Sequence, residues 1–176
     1  GAYFLDCLMI LLYALCLFIL TSLTFLALFK EIPYIEASRA HWISFITLVL
    51  PVFLYFFISE KGKFHASVGK RMNKISVVST TDSYLSSWQV FLRNTIKLLP
   101  WELGHLGIFL GVKANWQFGF YSLPMLLFTL AYLLPLIYII FMVVDKKHRC
   151  LHDLLTNTRV IISQERTNSS KDEIKK

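Results

Sequence analysis

Three runs of the chain, Ala2 to Phe29, Trp42 to Ser59 and Gly119 to Val144, are long and apolar enough to cross a hydrocarbon core about 30 Å thick. With no water in a bilayer to bond the backbone, each such run must close its own hydrogen bonds as a helix. Charged residues make up 16% of the chain and hydrophobic residues 56%, whereas soluble globular chains carry about 25% charged residues. The deficit lies in the three runs, so they read as membrane spans. Secretory cleavage does not fit the first run, which is too long, lacks a basic leading segment and shows no small-residue cleavage site.

A fourth segment, Phe91 to Val112, is apolar enough to enter a bilayer yet carries Arg93, Asn94, Lys97, Glu102 and His105. A charge at mid-membrane costs about 2.5–3.5 kcal/mol on insertion scales, so such side chains face a partner or a polar cavity rather than lipid. Pro100 divides this segment into an amphipathic first part and a more apolar second part, which predicts a broken helix that enters from the surface and turns inward. The expected fold is an all-α membrane protein. It is a four-helix transmembrane bundle with a Pro-broken third helix, spans at about 2–29, 42–59, 94–112 and 119–144, and one domain over 1–163. The low-hydrophobicity end, 164–176, reads as a disordered cytoplasmic tail.

Charge placement orients the bundle. Residues 30–41 hold 2 Lys and Arg and residues 113–118 hold 1, against 6 in residues 60–93 and 8 from Asp145 onward. If all four segments cross, both basic regions and both termini share one side, the cytoplasm of a multi-pass cell-membrane protein. The net charge of +7 is then a topology signal. Nucleic acid is not expected as a partner, because no basic face alternates with stacking aromatics.

Outside the spans, Lys74–Thr80 and Arg159–Ser163 alternate as short strands and are expected to pair in the cytoplasm. Gly69-Lys70 lacks the upstream Gly and following Ser or Thr of a phosphate loop. Asn168-Ser169-Ser170 matches a glycosylation acceptor but falls in the cytoplasmic tail. On the first span, Asp6, Ile10, Tyr13, Leu17, Thr21 and Thr24 fall on one arc and predict a polar stripe facing the bundle. Pro51 predicts a kink in the second span. Cys7 and Cys16 sit in the first span and Cys150 in a basic segment, with no disulfide framework. His148, Cys150 and His152 alternate as metal ligands would on an extended chain, but no metal and no cofactor are expected there. No nucleophile, base and acid fall together, so no enzyme is expected.

The first-span start AYFLD, the loop SVGKRMNKISVV, Arg93-Asn94 with Leu99-Pro100, and the tail DKKHRCLHDLLTNTRVII together resemble the RDD family of small integral membrane proteins. The resemblance covers nearly the whole chain, with a subgroup feature in the PWELGH run from Pro100 to His105. It maps the first family Asp to Asp6 and the late one to Asp153, and places the family Arg ahead of Gly1. It implies transport, with sodium/proton exchange among some members.

Two functions are consistent with these residues. One is a cation or proton transporter whose pathway uses Asp6, Arg93, Asn94, Glu102, His105 and Asp153, with self-association into a homo-oligomer to build the passage. Glu102 and His105 share one helical face and could relay a proton. The other is a non-transporting interaction or assembly factor, in which Lys70, Arg71 and Lys74 contact anionic lipids of the bilayer or a protein partner.

Overall fold

A computed structural model of the chain describes residues 1–30, 34–81, 84–117 and 119–163. Pro33, read as the breaker of the first loop, lies outside them, as do Phe118 and the tail 164–176 with its Asn168 acceptor. The elements in chain order are α1 (Ala2–Phe29), α2 (Ala37–Ser44), a π-helical turn (Phe45–Val49), α3 (Leu50–Lys61), α4 (Val68–Met72), β1 (Ile75–Ser79), α5 (Ser87–Lys113), α6 (Leu123–Val144), α7 (Leu151–Leu155) and β2 (Thr158–Ile162).

Three helical rods, Ala2–Leu28, Ala37–Lys61 and Leu123–Val144, have the length and apolarity of membrane spans. Only 6%, 11% and 6% of their most apolar windows is buried within the protein, the pattern of helices whose oily surface meets lipid. The fourth segment, α5, is continuous over 27 residues, roughly 40 Å at helical rise, but too charged to qualify by apolarity alone. It lies against α2, α3 and α6.

The second rod starts earlier than its apolar run, at Ala37, and its irregularity precedes Pro51 as the π-helical turn. Proline lacks an N–H and so deprives the carbonyl four residues back of its helical partner. That carbonyl, Thr47 O, accepts the Tyr13 hydroxyl of α1 at 2.6 Å. The expected break at Pro100 is absent: α5 runs through it as one helix. Here too the orphaned carbonyl is answered from a neighbour, since Ile96 O accepts the Tyr138 hydroxyl of α6 at 2.6 Å. A filled vacancy leaves the proline's deficit with little reason to open the helix. At its start α5 is fixed by a capping box, Ser86 Oγ accepting from Gln89 N at 3.1 Å and Gln89 Oε1 from Ser86 N at 3.0 Å.

The strands pair as expected. β1 and β2 are antiparallel, in register from Ile75 with Ile162 to Ser79 with Thr158. With α4 and α7 they cap one end of the helices, and the tightest packing is there. Phe56, Ala66, Val77 and Val90 are buried, but so are Asp6, Glu60, Ser67, Arg93, Asn94, Asp153 and Thr158. The interior of this cap is as much polar as apolar. Two of the close approaches between helices depend on glycine. A Cβ on Gly107 of α5 would meet the Phe128 ring of α6 at 3.1 Å, and one on Gly69 would run into Ala2 O and the Asp6 carboxyl of α1.

Candidate functional site

Helix α5 carries two polar layers. The first is at the capped end. Arg93 sits between two carboxylates: its Nη1 is 2.9 Å from Glu60 Oε2, and its Nε and Nη2 each stand 2.9 Å from Asp153 Oδ1. Glu60 is fully buried; its Oε2 also accepts from Asn94 Nδ2 at 3.1 Å, and its Oε1 accepts from Lys70 Nζ at 2.6 Å. Thr158 Oγ1 of β2 donates to Asp153 Oδ1 at 3.1 Å. One chain of charges thus ties α3, α4, α5, α7 and β2 together. Burial, the largest influence, pushes Asp153 toward the neutral form, but Arg93, His152 and the Thr158 hydroxyl together hold the carboxyl below its ordinary range. For His152, burial first and Arg93 second push the imidazole down to about 3, so it is neutral near pH 7. Lys97, one turn beyond Arg93, places its ammonium 3.1 Å above the Phe56 ring centroid.

Asp6 belongs to the same end but not to this chain of charges. Its carboxylate accepts from Tyr55 Oη at 2.8 Å, Ser67 Oγ at 2.6 Å and the Gly69 N–H at 2.9 Å. Gly69 and Lys70, adjacent in sequence, therefore serve two different acids. The Gly-Lys pair is explained by this packing, because only glycine lets α4 lie on the start of α1.

The second layer is farther along α5. Glu102 Oε1 pairs with His41 Nε2 of α2 at 2.9 Å, with side-chain exposures of 26% and 15%. Glu102 Oε2 and His105 Nδ1 are buried and have no hydrogen-bond partner among the described residues. His105 packs edge-on against Trp101. His41 also lines a cavity of about 130 Å³ with Ala37, Ser38, Trp42, Leu106, Phe109, Leu110 and Lys113.

Of the residues expected to form one pathway, Arg93, Asn94 and Asp153 come together, Glu102 and His105 form a separate layer, and Asp6 binds neither. The upper part of the α1 stripe is not turned inward: Thr21 and Thr24 are exposed and donate to carbonyls of their own helix at 2.7–3.0 Å. Lys70, expected on a docking surface, is engaged with Glu60, while Arg71 is exposed and covers the Phe64 ring at 4.5 Å. Lys74 is exposed. Sequence reasoning missed Glu60 and His41, each taken as the edge of a polar connection. Both abut an apolar run, and that position was the one available signal.

The sequence model of the RDD family matches residues 1–157. No curated protein and no solved structure matches the chain. With all three helical rods and the whole Arg93–Asp153 connection inside the matched region, the chain belongs to the RDD family.

Proposed function

We propose that this membrane protein moves a proton or a monovalent cation, and that Glu102, His41 and His105 are where the ion is held. The observation that carries the reading is the pair of buried, unpartnered atoms Glu102 Oε2 and His105 Nδ1 beside the His41–Glu102 contact. A buried acceptor left without a partner costs about 1–3 kcal/mol, and a proton or a small cation with its water relieves that cost. Acid and imidazole at one depth of a span are ordinary components of proton relays, and imidazole changes charge near neutral pH. In this reading the protein is multi-pass, both termini are cytoplasmic, α5 crosses with the three apolar rods, and copies associate to complete the passage.

The test is proton flux in sealed vesicles containing the purified protein, driven by a sodium or potassium gradient. The parent is expected to couple the two, and Glu102→Gln to lose at least tenfold in rate while eluting and melting as the parent does. Absence of flux in the parent, or equal flux in Glu102→Gln, overturns the reading. The rival docking role keeps Arg71 and Lys74 as its exposed charges, and it predicts that neutralising those two changes partner capture and not flux.

A further inference from the structure

We propose that Cys150, His152 and Asp153 form a binding site for a single thiophilic divalent cation of the zinc type. The three donors, a thiol, an imidazole and a carboxylate, lie within 4.8 Å of one another at the start of α7. An ion at the centre of such a triangle is at most about 2.8 Å from each donor, and bonds of about 2.0–2.3 Å are reached when each donor moves roughly half an ångström. The alternation of residues 148, 150 and 152 does not produce this set, because His148 Nδ1 lies 3.2 Å from Met142 O. Asp153 takes its place.

The surroundings orient the donors. Arg93 and Thr158 both bind Asp153 Oδ1, which leaves Oδ2 toward Cys150 and His152, its other contacts being Cys150 N at 3.4 Å and His152 Nε2 at 3.6 Å. Outer partners that fix a ligating carboxylate in this way set its direction and sharpen affinity. The His152 ring is held edge-on by Tyr138. The residue is 8% exposed and its Nδ1 has no hydrogen-bond partner among the described residues. The donor set matches the ion: thiolate and imidazole favour zinc over magnesium or calcium, which take oxygen. Binding converts the Cys150 thiol to a thiolate and releases its proton to water, so thiolate and carboxylate together offset the two positive charges. Arg93 keeps its contact with Glu60, a carboxylate it shares with Lys70.

Cobalt is the probe, titrated into the full-length protein in detergent. One equivalent is expected to give a thiolate-to-metal band in the near ultraviolet with visible d–d bands. Cys150→Ser should abolish the first, and His152→Gln should weaken binding at least tenfold. A measurement on the unaltered protein guards against variants that do not fold. Zinc should slow alkylation of Cys150 at least tenfold, read by peptide mass mapping, while Cys7 and Cys16 react at unchanged rates. No band at one equivalent, a band that persists in folded Cys150→Ser, or Cys150 alkylation indifferent to zinc overturns the site.

Discussion

The two polar layers on α5 lie on one helix, about 14 Å apart along its axis, and differ in how their acids are answered. At Arg93 every oxygen of Glu60 and Asp153 has a donor within 3.4 Å. At Glu102 one oxygen is paired and the other has no partner among the described residues. The first arrangement spends its charge on joining five elements; the second keeps a buried acceptor open. The same residue types thus divide into a structural group and a candidate ion site by their partners.

The largest break in this comparison comes from Arg93→Ala. It leaves Glu60 and Asp153 buried without their shared cation, and uncompensated buried charges of that kind cost about 3–5 kcal/mol. The variant is expected to lose most of its folded yield in detergent, measured by denaturant unfolding or size-exclusion recovery. Glu102→Gln, by contrast, should shift stability by under about 1 kcal/mol, because a partly exposed pair contributes little. Equal losses for the two variants would erase the distinction between the layers.

Gly69→Ala sharpens it from another side. The added methyl collides with backbone and with the Asp6 carboxyl, and overpacking of this kind costs about 1–3 kcal/mol. Thermal unfolding should show it, with Ser67→Ala, which removes one of three donors to Asp6, less severe. Tyr138→Phe uncovers Ile96 O and is expected to cost about 1–2 kcal/mol, enough to let α5 open at Pro100, as faster hydrogen exchange of amides near residues 96–101 would report. The smallest effect belongs to Thr21→Val. Its hydroxyl only back-bonds to its own helix, and a change beyond about 0.5 kcal/mol would contradict its exposed placement.

How much of this was legible follows from how local each signal is. Ala2–Phe29 and Leu123–Val144 could be read because a span is defined by its own length and apolarity. The strand pair could be read from alternation within Lys74–Thr80 and Arg159–Ser163. The acids and bases were visible as residues, but their partners were not: Arg93 meets Asp153 across 60 positions and His41 meets Glu102 across 61, and no periodicity spans such a gap. The break predicted at Pro100 failed for the same reason, since the compensating hydroxyl comes from Tyr138 on another helix. Asp6 was placed on a stripe facing the bundle and is buried, yet its donors come from α3 and from the segment starting α4, neither of which the first span's own pattern can reveal.

The tyrosines at the two prolines have a further consequence. Greasy helices in lipid can slide and rotate past one another at small cost, because hydrocarbon is as good a neighbour as leucine. Each of these two prolines leaves one carbonyl of its helix without its usual partner, and Tyr13 and Tyr138 each locate one. The imino acids therefore act as index marks that set the vertical alignment of α1 and α6 against the inner helices, one at each flank.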